Sequence, residues 1–138
     1  MTDVALRAVV HIPFQDAVTR ARAALAEEGF GVLTEIDVAA TMKAKLDLDV
    51  APQVILGACN PSLAHRALEV EPSLGVLLPC NVVVRTEDDG ATVVEAIDPA
   101  AMVSATGNQA LAPVAGEVRA RLDRVLDSLA SSSAATRS

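Results

Sequence analysis

Residues Leu56 to Val84 read LGACNPSLAHRALEVEPSLGVLLPCNVVV, two apolar runs on either side of a short amphipathic segment. That order leaves few folds open. QVILGAC, from Gln53 to Cys59, is continuously apolar after its first residue and reads as a buried strand over Pro52 to Cys59. Asn60 then offers a side-chain oxygen to cap a helix, and Pro61 stands where a missing N–H costs little. Leu63, Ala64, Ala67 and Leu68 form the inward face of that helix. Pro72 and Gly75 break the chain, and a second buried strand follows from Cys80 to Arg85.

The flanking sequence extends this pattern. Val4 to Ile12 is Val-rich and weakly alternating, so a strand is expected there. Pro13 opens a helix whose Phe14, Ala17, Val18, Ala21 and Leu25 recur at helical spacing, and Gly29 ends it as a C′ residue. Phe30 to Ile36 is a strand, and Asp37 caps a short helix ending near Leu46. Glu87-Asp88-Asp89-Gly90 is a hairpin turn leading into a strand from Thr92 to Ile97. Asp98-Pro99 begins a short helical turn. Pro113 opens the last helix, with Val114, Val118, Leu122, Val125, Leu126 and Leu129 on one stripe. The order β-α-β-α-β-α-β-β-α implies a single α+β domain over 1–130, with a mixed or mostly antiparallel sheet and helices on one face. Residues 131–138 are small and polar, and disorder is expected there.

Composition removes several function classes. The formal net charge of −7 does not attract phosphate backbones, and there is no Trp or Tyr on which bases could stack, so nucleic acid is not an expected partner. No apolar run approaches the ~20 residues of a membrane helix. The N-terminus lacks the basic start of a signal peptide, so a cytoplasmic protein is expected, with both cysteines reduced.

The residues that carry chemistry are few. Cys59 stands at a strand end before a helix N-terminus, where unpaired N–H groups and the helix dipole favour a thiolate. Read as structure, it is a small hydrophobe closing a buried strand. Cys80 starts the next strand; the pair forms no CxxC. Asn60 and Asn81 each follow a cysteine and either bind backbone or orient a small polar ligand at a pocket mouth. His65 and Glu69 are an i, i+4 pair expected to lie largely off the buried face. A metal site from His65, Cys59 and Cys80, with Glu69 or His11, lacks the close ligand spacing of a structural zinc motif. No metal or other cofactor is therefore expected. There is no GxSxG, P-loop, GxGxxG or HExxH, so no catalytic residue is assigned.

EEGFGVLTEID (Glu27 to Asp37), ILGACNPSLAHRALE (Ile55 to Glu69), LGVLLPCNVVV (Leu74 to Val84), AIDPAAM (Ala96 to Met102) and the closing helix together resemble the domain-of-unknown-function family numbered 302. The likeness runs from Val9 to about Leu129. It implies a small α+β domain, often a homodimer, with no assigned reaction and no catalytic residues to carry over. A homodimer is also expected from the surplus of Val and Leu, with the last helix carrying a stripe too long for one core. The expected function is a small-ligand-binding or structural homodimeric module, with its pocket near Cys59, Asn60, Cys80, Asn81 and His65. The alternative is a thiol-based redox or sulfur-handling protein using Cys59, Cys80 or both.

Overall fold

The computed structural model describes residues 4–131 and 136–137. In chain order the elements are β1 (Ala5–Val10), α1 (Phe14–Glu27), β2 (Gly31–Asp37), α2 (Val38–Leu46), β3 (Gln53–Cys59), α3 (Pro61–Val70), a 3₁₀ helix over Pro72–Leu77, β4 (Cys80–Thr86), β5 (Thr92–Ile97), α4 (Ala100–Thr106), a 3₁₀ turn over Gln109–Leu111, α5 (Ala112–Ser131) and β6 (Thr136–Arg137). The strands form one sheet in the order β2-β3-β4-β5-β1-β6. Every strand pair described is antiparallel. The chain is thus an α+β domain, and the expected mixed or mostly antiparallel sheet resolves to the antiparallel form.

Register sorts the sheet residues into rows. One face carries Leu6–Ala96–Val82–Leu56 and Ala8–Val94–Val84–Val54, every one of them buried. The other face carries Arg7–Glu95–Val83–Ile55–Ile36 and Val9–Val93–Arg85–Gln53. The first face is the core, because a strand has period two and the helices cover one side. On the second face the Arg85 guanidinium donates to Glu95 at 2.9 Å and Glu87 at 3.0 Å, and Arg7 reaches Glu87 at 2.8 Å. At the β2 edge, Glu35 ends the Leu6–Leu56 row and pairs with Arg22 of α1 at 2.7 Å.

Helix α1 presents Ala17, Val18, Ala21, Ala24 and Leu25 to the core, and these mostly small side chains let it lie close. Gly29 follows with φ +83°, the left-handed position that ends α1. Helix α5 buries all six residues of its stripe within this chain, which corrects the expectation that the stripe overruns the core. In α3 only part of the expected inward face is buried: Leu63 and Ala67 are, Ala64 is half-buried and Leu68 is exposed.

The first turn of α2 is capped as expected, the Asp37 carboxylate accepting from the Ala40 amide at 2.9 Å. No residue of α2 is buried, however. Thr136–Arg137 pair with β1 as a short strand, a feature the composition of the tail does not announce. The rest of the tail expected to be disordered, 132–135 and 138, lies outside the described residues.

Candidate functional site

Cys59 closes β3 and Cys80 opens β4, and the β3–β4 ladder sets Cys80 opposite Ala58. Cys59, one residue further along β3, alternates to the other side of the ladder from Ala58 and Cys80, at the strand end that leads into α3. Both thiols are free, Cys59 half-buried and Cys80 buried. Together with Phe30, Asn60, Leu63, Ala64, Ala67, Met102, Val114 and Val118 they line a cavity of about 20 Å³. Burial, with the negative field of a Cys59 thiolate adding to it, pushes the Cys80 thiol up to about 11. Cys80 is thus a protonated thiol at neutral pH.

Each wall of this cavity has a local cause. The Asn60 side-chain Oδ1 accepts from the Leu63 amide at 3.2 Å, so capping holds α3 over the end of β3. Phe30 enters from the loop after Gly29. A Cβ at Gly29 would lie 2.9 Å from Asn60 Nδ2 and 3.4 Å from Arg121 Nη1, so a glycine lets these groups close on the backbone. Arg121 Nη1 donates to the Glu28 carbonyl at 2.9 Å, which ties α5 to the end of α1. Before Cys80, the Leu78-Pro79 peptide is cis. Pro79 packs over Gly57, where an added Cβ would sit 3.0 Å from Pro79 Cγ.

The other candidate residues fall elsewhere. Asn81 is exposed on the second sheet face, opposite Gly57 in register, and does not line the cavity. His65 is 76% exposed on α3, with its Nε2 2.8 Å from Glu69 Oε1. His11, at the end of β1, borders a separate surface cleft with Asp89 and Gly90. Among the described residues no group of three or more His, Cys, Asp or Glu is placed to hold a metal, so the set His65, Cys59, Cys80 with Glu69 or His11 is not assembled. Phe30 and Met102 do reach the cavity, although their chemistry does not single them out in the sequence. The signal for them is their position in EEGFG and AIDPAAM, two of the stretches that carry the family likeness.

A cavity of this size holds about one water molecule. It does not accept an organic ligand. The surface offers larger openings, one of about 440 Å³ between α4 and α5 bordered by Asp98, Ser104, Gln109 and Arg119. Arg119 there is engaged by Asp98 at 3.2 Å and Asp123 at 3.1 Å. No helix among the described residues is long and apolar enough to cross a membrane.

Comparison with curated proteins gives no match. The family model for "Domain of unknown function DUF302" matches residues 7–129. Among solved structures, the crystal structure of an uncharacterized conserved DUF302 protein from Bacillus stearothermophilus is similar, with a TM-score of 0.86 at 32% identity, over 93% of this chain and 99% of that one. The segments that meet at the cysteine cavity lie inside the matched span, and the chain belongs to the DUF302 family, a family of unknown function.

Proposed function

We propose that this chain is a structural homodimeric module that self-associates through β2, α2 and the segment after them. The observation that carries the reading is the state of α2, a nine-residue helix with no buried residue. Isolated helices shorter than about 12–15 residues are marginal in water, so tertiary contacts normally hold them. Around α2 stand Leu33, Ile36, Leu46, Leu48 and Val50, each 44% to 67% exposed. Leu33 and Ile36 lie on β2, the strand at one edge of the sheet, and Leu46, Leu48 and Val50 lie at the end of α2 and in the segment after it. An open apolar edge is a pairing surface that proteins seldom leave uncovered.

A second copy suits this edge because an antiparallel strand matches its own copy about a two-fold axis. The charges on the patch have both signs. Lys43 bridges Asp47 at 3.0 Å and Asp49 at 3.4 Å within the chain, so no single-sign field opposes a like partner. A cytoplasmic setting belongs to the reading, since it keeps Cys59 and Cys80 reduced. Nucleic acid does not belong to it, given the net charge of −7.

The test is the mass in solution of the wild-type chain and of Leu48→Asp. Leu48 is exposed in the single chain, so the substitution leaves the core untouched. A dimer that the substitution converts to a folded monomer supports the reading. A wild-type monomer at micromolar concentration ends it.

A second reading, thiol chemistry, is favoured by Cys59 alone of the two cysteines. It is half-buried at the N-terminus of α3, whereas Cys80 holds its proton. Native alkylation of Cys59 at neutral pH would support this reading; protection of both thiols until unfolding would remove it.

A further inference from the structure

We propose that the cleft between α4 and α5 binds a small neutral amphiphile, an apolar body carrying one uncharged hydroxyl or amide group. The cleft has a volume of about 440 Å³, with Ala100 and Val103 of α4 on one side and Ala112, Ala115 and Gly116 of α5 on the other. Small-molecule sites have volumes of roughly 300–1,000 Å³ and mostly apolar walls with a few placed polar groups.

Gly116 is the wall residue that the fold does not explain. It lies inside α5, where glycine is less favourable than any residue but proline. A Cβ there would meet nothing within 4 Å. Gly29 and Gly57 differ, because a Cβ at either would crowd a neighbour. Alanine or leucine at 116 would fit the chain and strengthen the helix, and would take up part of the cleft. The glycine thus keeps open a space that only a molecule from outside the chain can fill, and apolar walls gain dispersion contacts once it is filled.

The rim selects the charge of the occupant. Arg119 donates through Nη1 to Asp98 at 3.2 Å and through Nε to Asp123 at 3.1 Å. An anionic head group would meet two carboxylates for one guanidinium. An ammonium group finds both Asp98 oxygens engaged, one by Arg119 and the other by the Ala100 amide at 3.0 Å. Uncharged groups remain open. Ser104 directs its one hydroxyl proton at the carbonyls of Ala100 and Ala101, at 3.3 and 3.4 Å, which leaves its oxygen to accept from a ligand. The exposed Gln109 carboxamide can donate or accept. No residue of the self-association patch borders this cleft, so the two proposals stand or fall separately.

The experiment is a fluorescence titration of the full-length chain with N-phenyl-1-naphthylamine, a neutral apolar probe with one N–H donor that brightens out of water. The expected result is saturable enhancement at one probe per chain. Octanamide displaces the probe at least tenfold more readily than octanoate, the anion of the same chain length. Gly116→Leu fills the cleft and weakens probe binding at least tenfold, while its urea midpoint stays at or above that of wild type. Gly116→Ala, the smaller change, moves both readouts in the same directions by less. Leu48→Asp leaves probe binding unchanged, which separates the cleft from the self-association patch. Absence of saturable enhancement overturns the proposal. So does probe binding that both Gly116 variants leave intact, that octanoate displaces as well as octanamide, or that Leu48→Asp removes.

Discussion

Asn60 Nδ2 stands 2.9 Å from the point where a Cβ on Gly29 would be. The backbone there has φ +83°, a conformation that L side chains rarely adopt. Gly29→Ala therefore meets two penalties at once, a left-handed backbone and a collision with the residue that caps α3. The expected loss is about 1–3 kcal/mol of unfolding free energy, combining roughly 1–2 for the backbone with displacement of Asn60. Urea denaturation measures it. A loss no larger than that of an exposed surface substitution would show that Asn60 moves aside freely.

Gly57 is the matching position on the other side of β3. An added Cβ would collide with Thr34 Oγ1 on β2 and lie 3.0 Å from Pro79 Cγ. Gly57→Ala is expected to cost about 1–3 kcal/mol, the usual range for overpacking. The double variant Gly57→Ala/Thr34→Ala recovers part of that loss, because it removes the nearer obstacle and leaves Pro79. Equal stabilities for the single and double variants in urea would contradict this account of the contact.

Cys80 makes stability depend on pH in one direction. Its thiol is raised from the ordinary 9.0 to about 11 by burial, with the neighbouring Cys59 adding to the shift. Below pH 9 both folded and unfolded chains hold this proton, and the full contribution is present. Above pH 9 the unfolded chain releases it first, so stability falls until the folded thiol also ionises near pH 11. The loss across that window is roughly 2–3 kcal/mol, at about 1.4 kcal/mol per pH unit. Comparing wild type with Cys80→Ala at pH 8 and pH 10.5 isolates it. The alanine variant, although less stable throughout, should lose less on going from the lower to the higher pH.

The extent to which the fold is legible in the sequence follows from where each signal is local. Asp37 and Asn60 announce their helices because a cap is made within three residues, to the Ala40 and Leu63 amides. The Thr92–Ile97 strand follows from its apolar run and the Asp-Gly turn before it. Helix α4 is harder to read: Pro99 at its N-cap makes no side-chain hydrogen bond, and AAMVSAT carries no amphipathic stripe. The 3₁₀ helix at Pro72–Leu77 is hidden by the Pro and Gly that read as breakers.

The candidate site divides the same way. That both cysteines border one cavity depends on Ala58 pairing with Cys80, a register that alternation alone does not fix. The same register puts Asn81 on the far face, away from its neighbour. His65 faces solvent, as its helical phase relative to Leu63 and Ala67 implies. Met102 comes to the cavity through tertiary packing of α4, which no local pattern encodes.

Ile36 stands next to Ile55 in register on the second sheet face, and both belong to the row that ends at the open β2 edge. Ile36→Asp places a charge on that edge and leaves the α1 and α5 core untouched. The expected result is a folded chain with dimerisation weakened by at least an order of magnitude, since an interfacial charge left unpaired costs about 2 kcal/mol or more. Unchanged dimerisation would move the interface to another surface.

Sedimentation equilibrium of the wild-type chain at tens of micromolar decides whether the chain is a dimer. The expected species has twice the 14.2 kDa chain mass and dissociates on dilution with a single constant. A species of 14.2 kDa across the whole concentration range would contradict it, and α2 would then be a helix that stands without a partner.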